Sequence, residues 1–103
     1  MSRGLGFAAV RVLRAIAGGA AYGFDIIDGT GLASGTVYPA LSRLEQDGYL
    51  RSSWEDPVAA HRQKRPPRRY YKVTPEGRRA LDTALEAVGA PPMFRTARAK
   101  GGR

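Results

Sequence analysis

The stretch SGTVYPALSRLEQDGYL, Ser34 to Leu50, constrains the fold more than any other part of this chain. Val37, Leu41 and Leu44 recur at spacings of four and three, which puts them on one face of an α-helix with Ala40 beside them. The pattern predicts a helix over 34–47 that buries this face. Gly35, Pro39, Ser42 and Gln46 fall roughly opposite, with Thr36, Tyr38 and Arg43 on the shoulders. The outward surface is therefore one of small and hydrogen-bonding groups around a single cation, which suits a DNA groove. Ser34 is positioned to cap the start by accepting from backbone N–H groups, and Asp47-Gly48 closes the end because Gly tolerates a left-handed backbone. Pro39 deletes one backbone bond and crowds a carbonyl, so a distorted first turn is expected.

The segments around this helix follow the same logic. LGFAAVRVLRAIAGG places Leu5, Ala9, Val12, Leu13 and Ile16 on one helical stripe, and Gly18-Gly19 ends it. Phe7 and Val10 form a second apolar set away from that stripe, to be covered either by a partner chain or by the chain's own distal elements. Tyr22 to Asp28 reads as a short helix with Phe24, Ile27 and Tyr22 inward, Asp25 and Asp28 in water, and Gly29-Thr30-Gly31 as its breaker. Tyr49 to Glu55 alternates as a strand, and Arg69 to Val73 is its partner. Between them His61, Arg62, Lys64, Arg65, Arg68 and Arg69 crowd together without an acid, and Pro66-Pro67 stiffens the return. A hairpin with a basic, open tip over about 56–69 is predicted, its cations meeting phosphates. Thr74-Pro75-Glu76 starts a last helix with a capping hydroxyl, a Pro whose missing N–H is harmless, and an acid at the positive end. Leu81, Ala84, Leu85 and Val88 are its stripe, and Gly89 with Pro91-Pro92 stops it.

Charge narrows the function. Lys and Arg number 17 against 9 Asp and Glu, a net of +8, with a pI near 10.6, and such a field draws polyanions. The absence of cysteine excludes disulfides, thiolate zinc sites and cysteine nucleophiles. His61, the one histidine, lies in the basic segment, no Gly-rich phosphate loop precedes a helix, and the acids are scattered over helix surfaces. An enzyme, a metal site and a cofactor are accordingly not expected. No apolar run approaches the roughly 20 residues of a membrane span, and a cytoplasmic protein is expected.

GTVYPALSRLEQDGYL resembles the recognition helix and wing entry of PadR-type transcriptional regulators. YGFDII, Tyr22 to Ile27, resembles the helix before it, and RPPRRYYKVTPEGRRAL, Arg65 to Leu81, resembles the wing strand and the helix that follows. The resemblance implies an α+β, mainly α, winged helix-turn-helix: three helices, a two-stranded β-hairpin wing and one C-terminal helix. It implies a domain over 1–89 and leaves 90–103 as a basic tail expected to be disordered. The implied function is sequence-specific double-stranded DNA binding by a repressor. Ser34, Thr36, Tyr38, Pro39, Ser42, Arg43 and Gln46 would meet the major groove, and Arg62, Lys64, Arg65, Arg68 and Arg69 the backbone. The alternative class is a winged helix turned to protein interaction, or a non-specific nucleic-acid coat. PadR-like regulators are homodimers joined largely beyond the wing, a region nearly absent here. The expected interface is therefore Leu5, Phe7 and Val10 of one chain against Leu81, Leu85 and Val88 of the other. The short C-terminus leaves little room for a small-molecule effector pocket, and none is expected.

Overall fold

Glycines stop the first three helices and a capping threonine starts the last of seven elements in a computed structural model that describes residues 5–87 and 89. The predicted tail at 90–103 and the stripe residue Val88 lie outside the described residues. Helix α1, Phe7–Ala17, buries Val12, Leu13 and Ile16 and ends at Gly18, with Gly19 in a conformation at φ 122° that favours glycine. Helix α2, Gly23–Thr30, buries Ile26 and Thr30. The hydroxyl of Thr30 donates back to the Ile26 carbonyl at 2.8 Å, which satisfies the buried oxygen. The sequence expectation needs a correction here, because Phe24 is 70% exposed and Ile26 takes the inward position. With Tyr22 outside the helix as its N-cap, Ile26 and Thr30 share the core-facing side at a spacing of four, and Phe24 lies off it.

Helix α3, Ser34–Gln46, buries Val37, Leu41 and Leu44 as the spacing predicts. Its N-cap is Ala33, whose carbonyl accepts from the N–H groups of Thr36 and Val37. Ser34 is therefore already helical and makes no cap, another correction. The Thr36 bond spans three residues rather than four, so the first turn is tightened. Pro39 is exposed and the helix continues through it. At the far end Gly48 at φ 83° lets its own N–H reach the Glu45 carbonyl and that of Tyr49 reach Leu44, the paired bonds of a left-handed C-terminal stop.

Strands β1, Leu50–Trp54, and β2, Arg69–Val73, pair antiparallel from Leu50 opposite Val73 to Trp54 opposite Arg69. The basic segment between them is not an open loop. It contains helix α4, Pro57–Arg62, with Asp56 accepting from the Val58 N–H at 3.1 Å, Pro57 in the first turn, and Ala60 buried. Thr74 then donates to the Gly48 carbonyl at 2.7 Å and accepts from the Gly77 N–H at 3.0 Å, so one hydroxyl fastens helix α5, Pro75–Ala87, to the end of α3. Gly77 is required at that contact: a Cβ there would stand 2.2 Å from the Tyr49 carbonyl oxygen. Leu81 and Leu85 of α5 close the core against α1, α3 and Leu50.

Candidate nucleic-acid interface

The core face of α3 leaves its opposite face in solvent, and Ser34, Thr36, Tyr38, Pro39, Ser42, Arg43 and Gln46 are all exposed. These seven residues thus form one continuous outward surface on a helix braced from behind by α1 and α2. Tyr38 is held from the side. Its hydroxyl lies over Gly23 of α2, where a Cβ would come within 2.3 Å of it.

The hairpin beside α3 is clamped where its two strands give way to the segment between them. Both carboxylate oxygens of Glu55 accept from the Arg65 guanidinium, at 2.6 and 2.9 Å, and one of them also accepts from the Arg68 N–H at 3.1 Å. Hydrogen bonding to Arg65, opposed by partial desolvation and helped by the Arg68 N–H, pulls the Glu55 carboxyl from its ordinary 4.5 down to about 2. A depressed folded-state value stabilises the protein above pH 4.5, and that contribution is lost as pH falls toward 2. Melting temperature followed through this window should therefore fall more steeply in wild-type than in Glu55→Gln. Parallel acid limbs in the two proteins would show that the clamp adds nothing to stability.

Arg68 lies 4.0 Å above the Tyr22 ring, and Tyr22 meets Tyr70 edge-on at 5.7 Å. The Tyr71 N–H donates to the Ala21 carbonyl at 2.8 Å, so β2 is tied to the segment before α2. Arg69 donates to Ser52 and to Glu45 of α3. Of the wing cations predicted to reach phosphate, Arg62 and Lys64 are exposed, and no acid pairs with either among the described residues. Arg65 and Arg69 are engaged within the chain, and Arg68 is half-buried on an aromatic face. Sequence reasoning missed Glu55, Glu45 and Tyr22, whose cationic partners lie 10, 24 and 46 positions away.

An open groove of about 850 Å³ runs between α1, α2 and α5, lined in part by Leu5, Phe7, Val10 and Ala84. Phe7 is 73% exposed there, with the Arg11 guanidinium 5.5 Å from its ring. The predicted dimer contacts at Leu81 and Leu85 need correcting. Both are buried in the chain's own core, 0% and 2% exposed, so they offer almost no area to a partner. Among the described residues no cluster of three metal-ligating side chains occurs, and no helix is long and apolar enough to cross a membrane.

A helix pair presenting a polar second helix, followed by an antiparallel hairpin carrying cations, defines a winged helix-turn-helix protein. The chain matches the model of the transcriptional regulator PadR-like family over residues 12–83 and belongs to that family. Its members are DNA-binding transcription regulators and not enzymes. Solved structures share the fold. A PadR family transcription regulator from Clostridium difficile is 23% identical with a TM-score of 0.69, covering 80% of this chain and 86% of that one. A transcriptional regulator from Clostridium thermocellum is 24% identical with a TM-score of 0.66, covering 91% and 88%. Bordetella bronchiseptica BpsR, described for regulation of its DNA binding by 6-hydroxynicotinic acid, is 24% identical with a TM-score of 0.66, covering 93% and 75%. No curated protein matches the chain.

Proposed function

We propose that the protein reads a specific double-stranded DNA sequence, with α3 in the major groove and the wing on the sugar-phosphate backbone, and represses transcription from the cytoplasm by occupying its site. The observation that carries this reading is the exposed polar face of α3, on which Arg43 and Gln46 stand in solvent, in a chain whose hairpin also exposes the wing cations Arg62 and Lys64. Arg43 has the donors to grip a guanine edge and Gln46 the donor and acceptor for adenine. The repressor sign comes from the resemblance alone. Two chains would associate through Leu5, Phe7 and Val10 at the α1 groove, setting their recognition helices about one DNA turn apart.

Enrichment of bound sequences from a random DNA pool tests the reading directly. A single preferred motif that persists as salt and competitor rise supports it, whereas affinity that decays without preference indicates a coating protein. Within that motif, Arg43→Ala should relax the preference at one base pair and cost on the order of 1 to 3 kcal/mol. An unaltered motif in both Arg43→Ala and Gln46→Ala would take base readout away from this helix face.

A further inference from the structure

Glu45 is an acid on the last turn of α3, at the edge that faces the wing. Its two oxygens are both engaged: Ser52 of β1 donates to one at 2.6 Å, and Arg69 of β2 donates to the other at 3.2 Å. Ser52 in turn accepts from two nitrogens of the same guanidinium, at 3.1 and 2.9 Å, closing a three-membered network across α3, β1 and β2. The Arg69 guanidinium also lies 5.6 Å from the Trp54 ring and 5.9 Å from that of Tyr71. Two aromatic faces and three hydrogen bonds thus hold one cation at the junction of recognition helix and wing.

We propose that Glu45 is a specificity-determining residue, which masks Arg69 from the DNA backbone and so withholds one sequence-independent phosphate contact. The inference rests on the DNA-binding reading above. An exposed ion pair of this kind adds little to stability, because water screens it. Its effect on DNA is larger. A phosphate approaching Arg69 meets a carboxylate hydrogen-bonded to the same guanidinium, so the pair presents no net charge to the backbone. Non-specific binding is built almost wholly from such backbone contacts, and withholding one lowers affinity for every sequence while the face carrying Arg43 and Gln46 keeps its base contacts. The charge of Arg69 serves instead to join both strands of the wing to α3.

The test is a salt titration of binding to a short random-sequence duplex by wild-type, Glu45→Gln, Arg69→Gln and the double variant. Glutamine retains an oxygen for Ser52 and removes the negative charge, and thermal melts confirm that each variant is folded. Glu45→Gln should steepen the dependence of log affinity on log salt by about 0.9, the value of one released counterion. Between roughly 50 and 200 mM salt that is about a threefold additional loss of affinity. The steepening should vanish in the double variant, and Arg69→Gln alone should leave the slope where it was. A slope flattened by Arg69→Gln alone would mean that Arg69 already touches phosphate, and would overturn the proposal. So would a Glu45→Gln slope that is unchanged, or equally steep with and without Arg69. Failure of the wild-type protein to bind duplex would overturn the DNA-binding reading as well, whereas binding with an insensitive slope overturns only the role of Glu45.

Discussion

Leu81→Asp is expected to unfold the protein rather than split a dimer. Leu81 has no exposed surface and packs in the same cluster as Leu13, Ile26, Leu41 and Leu50. Substitution removes that contact and places a carboxylate where the cluster offers only apolar side chains. Losing a buried Leu side chain costs about 2 to 5 kcal/mol, and stranding an unpaired charge adds a comparable amount, against a total stability on the order of 5 to 15 kcal/mol for a domain. The cooperative melt should therefore be lost or shifted far down in temperature, and Leu85→Asp should behave alike. Phe7→Asp is the informative change for assembly, since that side chain is 73% exposed and leaves the core intact. Its melt should stay near wild-type while sedimentation across a concentration series moves toward the monomer. Preserved folding in Leu81→Asp would contradict the observed core. Unchanged sedimentation in Phe7→Asp would place any interface away from the α1 groove.

What the sequence made legible was whatever repeats within an element. The spacing of Val37, Leu41 and Leu44 is a property of α3 alone, and so is the alternation of Leu50 with Ser52 or the sequence Thr74-Pro75-Glu76. Helix α2 is only about two turns long with apolar residues at 24, 26 and 27, so its phase was decided by packing against α1 and α3 and not by its own periodicity. Helix α4 spans six residues, shorter than a periodicity window, and sits inside a charge run that hides Ala60, its buried anchor. Ser34 resembles a cap by type, but the helix begins one residue earlier and uses a backbone carbonyl. The candidate site shows the same limit. Exposure of Arg43 and Gln46 follows from helical phase, whereas the engagement of Arg65 by Glu55 and of Arg69 by Glu45 depends on how the hairpin folds back. A run of cations read as equivalent is thereby divided into exposed members and members with structural work.

That division sets the expected result for the wing. Replacing Arg62, Lys64 and Arg68 together by Ala should weaken binding to any duplex on the order of 10²-fold at about 0.1 M salt, and flatten the salt dependence by about two to three units. Arg62 and Lys64 are exposed with no acid paired to them among the described residues, so each can release a full counterion. Arg68 contributes through the side of its guanidinium that does not face Tyr22, and its loss also loosens that contact. Arg65→Ala should act differently although it removes the same charge. Its guanidinium is already neutralised by Glu55 through two short bonds, so the slope should change little while the melting temperature falls as the segment between the wing strands loses its clamp. Motif preference should survive in both variants, because neither touches the face of α3 that carries Arg43 and Gln46. A triple variant with an unchanged slope would reduce the wing to a solvated hairpin. An Arg65→Ala slope as flat as that of the triple variant would show that the clamp opens on DNA and that Arg65 is delivered to the backbone.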